Sequence, residues 1–588
     1  MTTINIGVHS KLSFIVMFKL LVIGNCLNIT NVNFSNKVFI GNQNITNVNS
    51  LNNVNSLQKD GTLPIDTIFT GTPSPTWPQG GNFSTYEIDL GGLQVTQISG
   101  FEKIYTAYEG GPDNLGVTFF EPPSVPGFFM LGAYAQQNNQ PLSGWVLMGK
   151  TNANDKSDEI LKQPIDYTIQ LMMIAPQSTA YLWLPIPPDG YKSVGLLVTS
   201  SPDKPSLDRI RCVRSDFTDE AETDTWIWGK GGFNVYGLRP KTRGTNAKPL
   251  SVGTFIVTSD QNNAVYLSVL KNNNPEVTCN PNLEQVRALF QEYSPLIYSH
   301  PDEKYHPSSV NWFFKNGALL YTKGYESNPV PIEMDGANLP QGGSNDGFHW
   351  LDLPADGQAR GNIVKGDLQT AEVYLHVKPV LGSTFTDIQV WVFYPFNGHA
   401  VAKLAIIKKI PLGNIGKHVG DWEHVTLRIS NFNGDLWKVF FAEHNRGTWV
   451  DSSMLNYQKG SKFAVFASLN GHASYYRPGN VLLGGGKDVG IRDETWWSEA
   501  VFDTGMRYQV VAGEGLGVAS PPWLGFKKQW GPNVTFDFWT EVRKMERVMI
   551  GPLKKEFRKF MNSLPPELYG QKGPTGPTNK DNWDGDEN

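Results

Sequence analysis

Nine of the ten histidines lie between His300 and His472, and the first 299 residues hold only His9. Acid–base or metal chemistry therefore belongs to the second half of the chain. The densest segment runs Lys417–His418–Val419–Gly420–Asp421–Trp422–Glu423–His424–Val425–Thr426–Leu427–Arg428–Ile429. Alternation of Val425, Leu427 and Ile429 predicts a strand with one apolar face. The same period carried backwards sets Asp421 and Glu423 at the mouth of that face, with Trp422 and His424 turned the other way. Two carboxylates two positions apart on a strand have Cα atoms ~6.8 Å apart, at ~3.4 Å rise per residue. They can converge on one cation or serve as the acid and base of a glycosidase. His418 lies behind Gly420, whose conformational freedom permits a bend toward the same spot. Asn433–Gly434 is a hairpin signal; folding about it sets residue 423 opposite about residue 444, so that His444 faces Glu423. His472, in Asn470–Gly471–His472–Ala473–Ser474–Tyr475, and His424 complete the set of possible supporting groups. The bland alternative is a sandwich rim where these side chains only brace loop backbone. His300 and His306, around Pro301–Asp302–Glu303, read as structural.

Other chemistries are poorly represented. Gly484–Gly485–Gly486–Lys487 lacks the spacing and the following Ser or Thr of a phosphate loop. No Gly-x-Ser-x-Gly occurs, and no cysteine lies near a histidine in sequence. Three cysteines, Cys26, Cys212 and Cys279, without a C-x-x-C, exclude a disulfide framework and a zinc-finger array. Cys212 and Cys279 are expected to be unpaired. A net charge of −5 argues against nucleic-acid binding through a basic face.

The elements that must position these groups are mostly strands. Only 18% of the 588 residues are charged, while Gly (59), Pro (39) and aromatic residues (12%) are plentiful, favouring short strands and many turns. The expected fold is all-β with few helices: a β-prism-like domain at 70–260 and a β-sandwich at 280–565. Three copies of G-[FY]-x-x-x-G, at 127–132, 190–195 and 232–237, suggest sheets repeated about an axis in the first domain. A junction helix is expected at about 281–294, capped by Asn280 with Pro281 at its first position. A basic helical stretch at 536–560, with a break at Pro552, follows the sandwich. Residues 335–366 read as a polar loop outside the core, and 570–588 as a mobile tail. Residues 1–62 read as an Asn-rich, low-complexity extension dispensable for folding, with NITNVN occurring twice. Its apolar run, Leu12 to Gly24, is interrupted by Lys19 and is too short to span a bilayer. Four N-x-S/T sequons, at Asn28, Asn33, Asn44 and Asn82, would suit secretion. The Asn-rich composition accounts for them equally well, so secretion is the lesser reading.

A family resemblance emerges from long motifs taken in order. HVGDWEHVTLRISNFNG (418–434), EGGPDNLGVTFFEP (109–122), IRCVRSDFTD (210–219), SPLIYSHPDEKYHPSSVNWFF (294–314), NGHASY (470–475) and GPTGP (573–577) together resemble the plant and fungal vacuolar protein sorting-associated protein 62 family. The resemblance covers about residues 70–575. It implies a link to vacuolar trafficking without implying any biochemical activity. The N-terminal half is also similar to β-prism modules associated with multivesicular-body and lipid-transfer proteins.

A fainter resemblance concerns the site. His418-x-x-Asp421–Trp422–Glu423, preceded by Trp391–Val392–Phe393–Tyr394–Pro395, is similar to the metal-binding motif of necrosis- and ethylene-inducing peptide-like proteins. Those are β-sandwich proteins that bind a divalent cation and recognise glycosylated sphingolipids. The resemblance implies His418, Asp421 and Glu423 as ligands, with Asn397 where the motif has an Asp. Gly420 and Val419 stand where it has a second histidine and an arginine.

The resulting expectation is a non-catalytic, peripheral membrane or trafficking protein, intracellular at endomembranes or the vacuole. Its sandwich would carry a divalent-cation site (Ca²⁺, Mg²⁺ or Mn²⁺) for a glycan or lipid headgroup, with a membrane surface or glycosylated lipid as partner. Two readings from other classes stay open: a metal-assisted or carboxylate-pair hydrolase, and a carbohydrate-binding defence lectin using aromatics such as Trp496 and Trp497.

Overall fold

The computed structural model describes residues 72–587 apart from 139, 153–159, 176–177, 261–263, 276–278, 405–406, 445, 484–488, 534–536, 548, 550 and 563–572. The extension 1–62 lies outside the described residues. Residues 64–588 form one compact unit. Strands dominate it, and the described α-helices are few and short. The fold is all-β.

Small antiparallel sheets of three or four strands make up residues 87–271. Phe119, Leu182, Trp183, Val235 and Phe255 from several of them share one core. The repeated glycines explain part of this arrangement. Gly127, Gly190 and Gly232 all sit near φ +80°, where a turn feeds the following strand. The closing glycines of the first two copies meet: a Cβ on Gly195 would lie 2.7 Å from the Cα of Gly132. Only glycine allows two backbones to approach so closely.

The second half is organised by a six-stranded sheet. Its order is Arg446–Asp451, Leu436–Glu443, His418–Ser430, Phe385–Asn397, Val373–Val380 and Tyr508–Gly513. All neighbours are antiparallel except the last pair. One face carries Val425, Leu427, Ile429, Val390 and Phe441 against the helix Leu283–Tyr293 and the strand Lys462–Ala467. The opposite face is buried as well, beneath Phe313, Trp523 and Trp530, which pack on Trp391, Phe393 and Trp422. A sheet covered on both sides has no solvent face, so His418–Ser430 alternates between two interiors.

A further apolar cluster joins the halves, with Leu250 and Leu270 packed with Val380, Phe385, Phe432 and Trp437. Cys212 and Cys279 are both free thiols.

Three expectations need correction. The junction helix spans Leu283–Tyr293, and its cap is Asn282, which accepts from Gln285 N at 3.0 Å while the Gln285 side chain returns to Asn282 N. The reciprocal box needs Gln or Glu three residues after the cap, and only Asn282 has it. Asn280 instead bonds Asn431. Residues 335–366 are not an excluded loop: Leu339, Leu351, Leu353 and Ile363 are core residues, and Gly357–Ile363 is a helix. The segment 573–587 is not a mobile tail. Trp583 and Glu587 are buried, because the sheet offers the segment aromatic and charged partners.

The basic stretch forms two helices, Phe538–Glu546 and Gly551–Met561, with Pro552 in the first turn of the second. Phe538, Val542, Phe557 and Phe560 pack on Leu412 and Ile415, leaving the cationic side chains exposed.

Candidate functional site

His418–Ser430 and Phe385–Asn397 pair in one unbroken register, Asp421 opposite Tyr394 and His418 opposite Asn397. The strand turns sharply at Gly420, where φ is +67° and an added Cβ would meet Trp530 O at 2.3 Å. This turn lets His418 fold back, with Nδ1 donating to Gly420 O at 2.8 Å. That hydrogen bond fixes the tautomer and leaves Nε2 with its lone pair, the form in which imidazole binds metals. Burial keeps the His418 pKa below its ordinary value, with Asp421 opposing.

Asp421 is buried, and its Oδ2 accepts from His472 Nδ1 at 2.9 Å. The His472 ring lies flat on Tyr394, 3.9 Å between centroids. Burial alone would raise the Asp421 pKa, but the His472 hydrogen bond and the neighbouring His418 hold it below the usual carboxylate range. Glu423 goes the opposite way: burial, then repulsion from Asp421, push it well above the ordinary glutamate value. The fold thus favours the charged form of Asp421 and the protonated form of Glu423. Among the described residues the Glu423 carboxyl makes no side-chain hydrogen bond.

The hairpin about Gly434 pairs Val425 with Phe441, and continuing that register sets Glu423 opposite Glu443. His444 follows in a left-handed conformation, φ +59°, within electrostatic reach of Glu423 and Asp421. Its Nε2 donates to Asp493 Oδ2 at 2.8 Å, and Tyr475 Oη donates to the same oxygen at 2.6 Å. Burial would lower the His444 pKa; Asp493, with Glu423 and Asp421 behind it, pushes it up to about 9.

Asn397 stands opposite His418 in the strand pair. The Asn397 amide donates to Gly398 O and Gly416 O, tying down the loop after its strand. His424 is not a supporting group of this site. Strand alternation turns it to the opposite face, where it stacks on Trp391 and reaches Glu587 at 3.1 Å. Asp493 and Glu303 were missed. Glu303 accepts from Lys304 N, Tyr305 N and Asn470 N, and lies 3.8 Å from His472 Nε2, which is buried and has no hydrogen-bond partner among the described residues. Lys580 adds a positive charge near Asp421 and Glu423. Only the run of acids and histidines in SHPDEKYH hinted at Glu303; Asp493 had no local signal.

Two histidine–aspartate pairs, His472–Asp421 and His444–Asp493, thus flank Glu423. The donor types suit a hard or borderline divalent cation. Among the described residues, however, no three His, Cys, Asp or Glu side chains are grouped to hold a metal, so a cation would require the side chains to rearrange.

A family model for vacuolar protein sorting-associated protein 62 (Vps62) matches residues 65–587. The chain belongs to the Vps62 family. Four of the six motifs that carried the Vps62 resemblance converge on this site. Residues 294–314 bring Glu303, 418–434 bring His418, Asp421 and Glu423, and 470–475 bring His472 and Tyr475. Residues 573–577 hold Trp530 against Gly420, Pro574 O accepting from Trp530 N at 2.7 Å.

No curated protein matches the chain. Among solved structures, GNIP1Aa from Chromobacterium piscinae is 16% identical, covering 35% of this chain and 41% of its own, with a TM-score of 0.26. Necrosis and Ethylene inducing Protein 2, from the causal agent of cocoa's Witches Broom disease, is 13% identical over 32% of this chain and 67% of its own, TM-score 0.18. NLPPya in complex with mannosamine is 11% identical over 32% and 65%, TM-score 0.18. The chain thus spans about two fifths of the first of these. At such scores the likeness decides nothing about function.

Proposed function

We propose that this Vps62-family protein is a non-catalytic, peripheral membrane protein of vacuolar trafficking that binds a glycan or lipid headgroup with the help of a divalent cation. His418, Asp421 and Glu423 would hold the cation, with Asn397 as a neutral oxygen donor beside them. The observation that carries this reading is the Asp421–Glu423 pair: two carboxylates share one buried face, and burial together with the Asp421 charge pushes the Glu423 pKa well up. A divalent cation would supply the missing counter-charge and, by its remaining coordination positions, a point of attachment for sugar hydroxyls or phosphate oxygens. The His418 tautomer fixed by Gly420 O favours the same use. No described helix is long and apolar enough to cross a membrane.

The test is binding of the purified chain to glycan arrays and to vesicles, with Ca²⁺, Mg²⁺ or Mn²⁺ and with chelator. Cation-dependent binding without turnover, lost in Asp421→Asn and Glu423→Gln, supports the reading. Binding indifferent to cation and to both substitutions overturns it.

A hydrolase is the second reading, favoured by one feature: two neighbouring carboxylates are pushed in opposite directions, Glu423 up and Asp421 down, as in a general acid and its partner base. Release of product from glycoside or ester substrates, abolished by Glu423→Gln, would decide for it.

A further inference from the structure

The second face of the six-stranded sheet carries an unusual set of buried polar groups, and residues 582–587 fill it. Lys378, fully buried, donates to Asn582 O at 2.7 Å and Gly585 O at 2.8 Å. Gln389 donates to Asn582 O and to Glu587 Oε1, each at 2.8 Å. Thr426 Oγ1 and His424 Nε2 hold the two Glu587 oxygens. Arg428, anchored on Asp387, donates to Asp586 Oδ1 at 2.9 Å, and Arg243 from the other half of the fold donates to Asp586 Oδ2 at 2.9 Å. Trp583 stacks on His376, 3.8 Å between centroids. Gly585 makes the turn between them possible: a Cβ there would meet Asp581 O at 2.5 Å.

This is how a groove holds a peptide. Main-chain carbonyls, two adjacent carboxylates and one aromatic ring are each met by a separate side chain. Residues 580–587 contribute no strand to the sheet, so no ladder binds them to it. The cations complement the acidic pair in charge, and buried cations of this kind need such partners to be tolerated. By its composition the groove selects for an Asn-Trp-Asp-Gly-Asp-Glu type of segment rather than for any extended chain.

We infer that this sheet face is a recognition site for an acidic peptide, held in cis by residues 582–587 and available in trans to a segment of the same chemistry when those residues leave. The site is separate from the Asp421–Glu423 pair and needs no cation.

The experiment keeps the whole chain. A protease site placed between Met561 and Gly573 is cut after folding, and a fluorescent peptide of residues 573–588 is added. The expected result is exchange of the peptide into a folded cleaved protein. Peptides carrying Asp586→Asn and Glu587→Gln should bind at least about tenfold more weakly, since each loses charge-assisted hydrogen bonds to buried partners. Light scattering on the uncut chain identifies one source of the trans segment: a swapped dimer would be this site filled by a second copy. Loss of the folded state on cleavage would overturn the inference, showing the segment to be an integral part of the fold. Failure to exchange, or equal affinity of acidic and amide peptides, would overturn it too.

Discussion

His472 donates from Nδ1 to Asp421 Oδ2 at 2.9 Å, joining residues 51 positions apart in the chain. Its ring is held against Tyr394 at an interplanar angle of 4°, so the donor cannot swing away without losing the stack. Asp421 is thereby kept ionised, and the cost of a second negative charge falls on Glu423.

The first consequence is a pH-dependent penalty at Glu423. Its folded-state pKa is raised, so the folded chain holds a proton that the unfolded chain releases above about pH 4.3. Stability therefore falls as pH rises from the ordinary glutamate value toward the raised one. Glu423→Gln removes this penalty and should melt higher than wild type at neutral pH, by roughly 1 kcal/mol after solvent screening. Thermal melts from acid to neutral pH should show the two proteins converging near pH 4. Identical curves throughout would mean that Glu423 bears no penalty.

Cation should act on the same pair. If Asp421 and Glu423 share a divalent ion, its binding stabilises the folded chain by about 2.7 kcal/mol at a hundred times the dissociation constant. Millimolar Ca²⁺, Mg²⁺ or Mn²⁺ is expected to raise the melting temperature of wild type, but not of Asp421→Asn or Glu423→Gln. An equal response in all three proteins would remove the cation from this site.

His444 carries the opposite pH signature. Despite the burial that opposes it, Asp493 pushes the His444 pKa up to about 9, from an ordinary value near 6.5. A histidine with a raised pKa contributes stability that is complete below about pH 6.5 and is lost as pH climbs through the raised value. Asp493→Asn should cost about 1–2 kcal/mol at pH 6, allowing for the part-exposed imidazole, and much less of that contribution should remain above pH 9. NMR titration of His444 reads the same pair directly: a pKa near 6.5 in wild type would contradict it.

Gly420 sets the geometry of His418. Its φ of +67° and the 2.3 Å approach of Trp530 O leave no room for a side chain. Gly420→Ala is expected to destabilise by about 2 kcal/mol or more, combining left-handed strain with a backbone clash. Denaturant unfolding measures the loss; a change below about 0.5 kcal/mol would mean that the strand can relax around a methyl group.

Short-range pattern was enough for several features. The alternation of Val425, Leu427 and Ile429 placed Asp421 and Glu423 on one face and His424 on the other, because side-chain direction in a strand depends only on parity. Asn433–Gly434 located the hairpin, since a positive φ at glycine is a local preference. Excess aromatics and turn residues with few charges announced an all-β chain. Six ordered motifs revealed the Vps62 family, confirmed over residues 65–587.

Tertiary structure decided what those patterns could not. Asp493 reaches the site from a segment whose sequence carries no mark of it, and Glu303 from one with only a run of acids and histidines, because their partners are brought in by sheet packing rather than by spacing. Which carboxylate holds the proton depends on burial and on His472, both properties of the assembled fold. The acidic segment 582–587 reads as a solvated tail when seen alone, and composition supports nothing else. It is ordered because Lys378, Arg428, Arg243 and Gln389, all more than 150 residues away in the chain, converge on it. Parity, turn preference and composition are local and so can be read from sequence; charge partnership across the fold is not.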